Sequence, residues 1–136
     1  MIKLITGKKG TGKTKILIDL INTAVKDATG DLVCIEKGVN IRRSISFKVR
    51  WCDVEEFAIE GYDAFYGYVA GMIAGNYDIK EIFIDGIFKI GGRDYEAFGE
   101  LLKKLDELTT KNDITVVFTV SADDTELPAS VTDYIK

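Results

Sequence analysis

The sequence predicts an α/β domain in three layers, a mainly parallel sheet with helices on both faces. Three observations carry this. Continuous apolar runs of strand length recur at residues 2–6, 32–36, 81–85 and 114–120, as strands covered on both faces require. Segments with apolar residues at helical spacing separate them, the alternation that produces parallel crossovers. The first run leads directly into the glycine-rich stretch Gly7-Lys8-Lys9-Gly10-Thr11-Gly12-Lys13-Thr14 and then into a helical segment.

In chain order, residues 2–6 read as a buried strand. A helix follows from 13 to about 28, with Ile16, Leu17, Leu20, Ile21, Ala24 and Val25 on its apolar face and Gly30 as its C-terminal stop. Residues 32–36 form the second strand, ended by Lys37-Gly38, and residues 45–52 read as a further extended segment rich in β-branched and aromatic residues. A helix over 62–76 carries Gly67, Gly71 and Gly75 four apart. Each glycine costs a helix about 1 kcal/mol relative to alanine, so the stripe predicts a close contact with the sheet or a neighbouring helix. Tyr62, Phe65, Tyr66 and Tyr68 in the same segment are expected to pack in the core. Residues 81–85 form a strand closing on Asp85, followed by Gly86. The amphipathic segment 94–110 carries Phe98, Leu101, Leu102, Leu105 and Leu108, and strand 114–120 leads to Ser121. The tail, 130–136, has room for one short edge strand at most.

The glycine-rich stretch fits G-x-x-x-x-G-K-[ST] without a mismatch, in the strand-to-helix setting of a P-loop. Glycines let backbone N–H groups approach phosphate oxygens closely, and the helix that starts there offers unpaired N–H groups and a positive dipole end. Lys13 is expected to reach the β- and γ-phosphates and the Thr14 hydroxyl to hold Mg²⁺. The expected nucleotide-binding set is Gly7, Lys8, Lys9, Gly10, Thr11, Gly12, Lys13, Thr14 and Lys15, with Thr14 and Asp85 as metal ligands. Strand 81–85 has the form of a Walker B strand. Placed beside the P-loop strand, it would bring Asp85 to the metal. Ligands in such sheets bind at the C-terminal ends of the strands, so the glycine-rich loop, Glu36, Asp85 and Ser121 should share one edge. Thr110-Lys111-Asn112-Asp113 matches a base-reading pattern of GTPases, but it precedes its strand and reads as a helix-to-strand turn.

The whole chain, residues 1–136, reads as one P-loop nucleotide-binding domain. Hydrophobic residues make up 46% of it, with a single proline, which excludes a disordered or low-complexity architecture. No stretch is long and apolar enough for a membrane span or a secretory signal, so a cytoplasmic location is expected. Cys34 and Cys52 lack C-x-x-C spacing and the chain contains no histidine, so reduced core thiols are expected in place of a zinc site. The net charge of −4 hides an asymmetry, with 11 Lys+Arg against 4 Asp+Glu in residues 1–50 and 7 against 18 in the rest. A basic first half suits a polyphosphate, and Arg42, Arg43, Lys48 and Arg50 extend that field. The overall acidity disfavours a dedicated duplex-DNA binder, so nucleic acid is compatible with the sequence without being the favoured partner.

The order of P-loop, strand ending in Glu36, strand ending in Asp85 and strand ending in Ser121 resembles the RecA-like branch of P-loop ATPases. The chain, with Cys34-Ile35-Glu36-Lys37-Gly38 and Gly61-Tyr62-Asp63-Ala64-Phe65-Tyr66-Gly67, is also similar to short bacterial P-loop proteins sometimes labelled twitching-motility ATPases. The resemblance implies ATP and Mg²⁺ as ligands, Asp85 as the Walker B aspartate, Ser121 as the polar sensor and Glu36 as the water-activating carboxylate. Gly86 stands where many related ATPases have a second acidic residue, so hydrolysis would depend on Glu36 or on a partner. The expected activity is slow ATP hydrolysis. The alternative is an ATP-dependent switch or assembly subunit with little turnover of its own. A small-molecule kinase fits less well, because the chain offers little room for an acceptor pocket. A homo-oligomer or a protein partner supplying an arginine is compatible with either reading, and Arg42 and Arg43, expected at the ligand edge, are the candidates for that arginine.

Overall fold

The computed structural model describes residues 1–135. Its five strands are β1 (Ile2–Gly7), β2 (Asp31–Glu36), β3 (Arg50–Asp53), β4 (Ile79–Ile84) and β5 (Thr115–Ser121). They form one sheet in the order β1-β5-β4-β2-β3, with every pairing parallel. The helices are α1 (Lys13–Asp27), α2 (Tyr62–Gly75), α3 (Ile87–Gly91), α4 (Tyr95–Lys111) and α5 (Ala129–Thr132). The α/β class, the parallel sheet and the helices on both faces are therefore as expected.

The period-two alternation of the strands divides the core in two. Val33, Ile35, Ile82, Ile84, Val116 and Phe118 pack on one face against Val69 and Ile73 of α2, Ile87 and Ile90 of α3, Phe98, Leu102 and Leu105 of α4, and Val131 of α5. Leu32, Cys34, Phe83 and Val117 face the other side, which holds Leu17 and Ile21 of α1 together with Ile41, Ile45 and Val49. The layers are unequal, with four helices on one face and α1 plus the 41–49 segment on the other.

Several expectations change. The strand of Asp85 does not lie beside the strand of the glycine-rich loop, because β5 is inserted between β1 and β4. Residues 45–52 are mostly not a strand: a single 3-10 turn spans Arg42–Ser44, and pairing with β2 begins only at Arg50. Asn22 on α1 holds this segment, accepting from the Ser46 N–H at 2.9 Å and donating to the Ser44 carbonyl at 2.9 Å. Side-chain anchoring to a helix has here displaced the strand that β-propensity favoured. Gly30 does not stop α1, which ends at Asp27. Its requirement is close approach, since a Cβ there would collide with the Asp78 carbonyl. The tail turns through α5, and Ile135 makes one parallel bridge to Leu4 on the outer side of β1. Lys136 lies outside the described residues. Thr110 to Asp113 is the expected helix-to-strand turn, with Asp113 at φ 57°.

The glycine stripe on α2 is the clearest reversal. Gly67, Gly71 and Gly75 are exposed, and a Cβ added at any of them would meet nothing within 4 Å. The buried face of α2 is Phe65, Val69 and Ile73 instead. Gly71→Leu should therefore leave the melting temperature unchanged or raise it slightly, because leucine is the better helix former. The sterically demanding glycine is Gly91, where a Cβ would run into the Tyr62 ring. That ring cannot yield freely, as it stacks on Phe98 at 5.8 Å and its hydroxyl donates to the Gly92 carbonyl at 2.5 Å. Gly91→Ala is expected to cost about 1–3 kcal/mol by overpacking. Thermal melts of the two variants check both statements, and equal melting temperatures would refute the contrast.

Candidate functional site

A cleft of about 510 Å³ opens at the C-terminal ends of β1, β5 and β4. Its floor is built by the turn from β1 into α1. β1 delivers the chain to Gly7, whose N–H donates to the Ala122 carbonyl at 3.0 Å. The loop then reverses and enters α1 through Gly12 at φ 87°, a left-handed value that a side chain would resist. No side chain caps α1 and no acidic residue sits in its first turn, so the positive end of the helix faces the cleft unopposed. Lys13 is buried although charged, and its Nζ donates to the Lys8 carbonyl at 2.8 Å. Burial lowers its proton affinity, and the nearby Asp85 carboxylate acts in the opposite direction.

Asp85 leaves the end of β4 with its N–H bound to the Ile35 carbonyl at 3.0 Å. The Thr14 hydroxyl on α1 approaches its two carboxylate oxygens at 3.3 and 3.5 Å. On the neighbouring strand the Thr119 hydroxyl, almost fully buried, donates to Asp85 Oδ1 at 2.7 Å and accepts from the Gly86 N–H at 2.8 Å. One hydroxyl thus fixes both the carboxylate and the backbone behind it. The inserted β5 does not hold the two sites apart, because it supplies the bridging hydroxyl.

The cleft lining counts four cations, Lys9, Lys13, Lys89 and Arg93, against the single carboxylate of Asp85. Such a site favours an anion of several charges. Among the described residues there is no group of three or more His, Cys, Asp or Glu side chains suited to a metal ion. A divalent cation here would instead take oxygen from Thr14 and Asp85 and complete its shell from water and the anion, a hard-oxygen set that fits Mg²⁺. No protein-family model matches the chain, and no curated protein matches it.

The structure gathers most of the expected site residues. Lys9, Gly10, Gly12, Lys13, Thr14, Asp85 and Ser121 all line the cleft. Lys8 and Thr11 close the loop on itself, since the Thr11 hydroxyl donates to the Lys8 carbonyl at 2.7 Å. The Lys15 side chain runs along the outside of α1 to Asp19 at 3.2 Å, so only its backbone can serve the site. Ser121 lies at the cleft, and its carbonyl accepts from Arg93 Nη1 at 3.1 Å.

Glu36 is the residue whose surroundings depart most from its expected role. It is buried at 1% exposure and accepts four hydrogen bonds: Asn40 N–H and Ile41 N–H at 3.1 and 3.0 Å, Asn40 Nδ2 at 3.1 Å and Trp51 Nε1 at 2.8 Å. Oε2 accepts three of these bonds and Oε1 one, so the carboxylate is tied to protein donors and shut away from bulk water, and Glu36 is not part of the cleft lining. The geometry makes it a brace that ties the 37–41 turn and Trp51 to the end of β2. Arg42 and Arg43 also lie elsewhere. Arg42 stacks over Trp51 at 4.9 Å, and both line a groove on the β3 side of the sheet.

Thr119, Arg93, Phe88 and Lys89 of the cleft lining went unrecognised in the sequence. Thr119 stands two positions before Ser121 on the same strand face, so strand alternation was a usable signal. Arg93 carried no signal, because it follows α3, a short helix that periodicity does not reveal. Its guanidinium is held over Phe88 at 5.1 Å and by the Ser121 carbonyl.

Proposed function

We propose that this protein binds Mg-ATP in the cleft at the start of α1, as a P-loop protein with a RecA-like arrangement of sites. The observation that carries the reading is the meeting of Thr14 with Asp85, 71 residues apart in sequence, beside Lys13 at an uncapped helix N-terminus. In this reading the loop N–H groups and Lys13 hold the β- and γ-phosphates, and Thr14 and Asp85 hold the metal. Thr119 keeps the carboxylate in position. Lys13 gives up its contact with the Lys8 carbonyl when phosphate arrives, exchanging a neutral acceptor for a charged one.

Of the two activities the sequence supports, the four donors on Glu36 favour the nucleotide-dependent switch over slow hydrolysis by this chain alone. Among the described residues Asp85 is the only carboxylate lining the cleft, and in this reading it serves the metal, which leaves none there to orient water. The decisive experiment pairs calorimetric titration of Mg-ATP with steady-state phosphate release. Micromolar binding with negligible turnover is the expected result. Robust turnover that depends on Glu36 would restore the hydrolase reading.

In this reading Arg93, which lines the cleft, would sense the terminal phosphate from within the same chain. Arg93→Ala should weaken ATP binding about 10-fold while leaving ADP affinity nearly unchanged, since charge-assisted bonds to the γ-phosphate are lost selectively. Equal losses for the two nucleotides would argue for a merely structural role of Arg93.

A further inference from the structure

A second groove, of about 1280 Å³, lies away from the nucleotide cleft. Its lining includes Asp31, Arg50 and Ile79, which open β2, β3 and β4 respectively. It also takes in Glu56 and Phe57, which follow the end of β3, so it runs along the outer edge of the sheet, and it shares no lining residue with the cleft. It sits on the free side of β3, which pairs with β2 alone. The register deepens it: β3 begins opposite Val33, so the first two residues of β2 extend beyond its start.

Four exposed cations border this groove, Arg42, Arg43, Lys48 and Arg50, against the carboxylates of Asp31 and Glu56. The border also carries two rings with no place in either core. Phe47 is 95% exposed and forgoes about 1.5–3 kcal/mol of burial by standing in water, while Phe57 is 57% exposed with its ring 6.2 Å from that of Tyr68. Phe47 is adjacent to Lys48, and Trp51, half-buried, is adjacent to Arg50 and lies under the Arg42 guanidinium. Rings and cations therefore neighbour one another in the 47–51 segment that borders the groove. In a protein of net charge −4, this is a local positive field interleaved with flat apolar faces.

We propose that this groove binds single-stranded nucleic acid, with Arg43, Lys48 and Arg50 tracking phosphates and Phe47 and Phe57 stacking on bases. Cations beside exposed rings are what a strand of repeating phosphates and unpaired bases requires. A duplex keeps its bases stacked and offers no ring to Phe47, so single strands are selected over double. An acidic polypeptide would satisfy the cations but has no periodic flat group to meet the rings. The site is separate from the nucleotide cleft and does not depend on it.

The test is fluorescence anisotropy of the full chain with a labelled oligothymidine of about 15 nucleotides, within the range of known single-strand site sizes. Binding should weaken with salt at a log–log slope of about −2 to −3, as three or four phosphate contacts imply. Phe47→Ala should weaken it about 5- to 100-fold, and Arg43→Glu with Lys48→Glu should weaken it about 10-fold or more. All three positions are exposed, so unchanged melting temperatures will separate lost contacts from lost fold. Lys13→Ala should bind the oligonucleotide as the parent does, which excludes capture of a terminal phosphate by the nucleotide cleft. The proposal is overturned by no binding at low salt, by full affinity in the Phe47 and double variants, or by equal affinity for the duplex. Equal competition from a polyglutamate chain would assign the groove to an acidic polypeptide, and self-association lost in Phe47→Ala would assign it to a second copy of the chain.

Discussion

Lys13→Ala is expected to abolish measurable Mg-ATP binding, a loss of about 100-fold or more, while the protein stays folded. The lysine contributes little to the free fold, because its Nζ makes a single bond to the Lys8 carbonyl within its own loop. Its contribution to binding is large for a different reason. It is a buried cation at the positive end of α1, so in the proposed reading a phosphate would meet charge and helix N–H groups together, at the cost only of the Lys13 bond to the Lys8 carbonyl. Thr14→Ala should act differently, removing most of the magnesium dependence and a smaller part of the affinity, because it takes away one metal ligand and leaves the anion site. Calorimetric titration with and without Mg²⁺ checks both. Undiminished ATP binding by Lys13→Ala would overturn the proposed function as a whole.

Glu36→Gln is expected to destabilise the protein by about 2–4 kcal/mol, because hydrogen bonds to a charged acceptor are lost and a buried NH₂ is turned toward backbone donors. For a chain of this size the melting temperature should fall by about 8–15 °C. Trp51 is the only tryptophan and donates to Glu36 directly, so its fluorescence should shift in the folded variant. Mg-ATP affinity below the new melting temperature should be unaffected. The catalytic expectation drawn from the sequence makes the opposite forecast, normal stability with turnover about 100-fold lower. Melting curves and single-turnover rates on the same preparation distinguish the two.

The chain order of the site was legible in the sequence because its signals are local. Gly7 to Thr14 specify a loop by residue type at fixed spacing, and the apolar runs around Val33, Phe83 and Val117 specify buried parallel strands by continuity. From those two facts and the rule that ligands bind at strand C-terminal ends, a shared edge for the loop and Asp85 followed without coordinates, though the strand adjacency expected to join Thr14 to Asp85 is absent. Three things did not follow, each because it depends on contacts between distant residues. Which strand lies next to β1 is set by long-range pairing, and β5 takes the place expected for β4. The role of Glu36 depends on what surrounds its carboxylate: the 37–41 turn folds Asn40 and Ile41 back onto it, and Trp51 reaches it from the neighbouring strand β3. The direction of the glycine stripe on α2 was ambiguous because nearly every other position of that helix is apolar or aromatic, so periodicity alone does not say which face is buried. By itself the sequence determined an α/β chain with a glycine-rich loop at a helix N-terminus and a carboxylate to share its edge. Only the tertiary structure decided that Thr119 and Arg93 complete that site and Glu36 does not, because side-chain partners are fixed by packing, which no local pattern encodes.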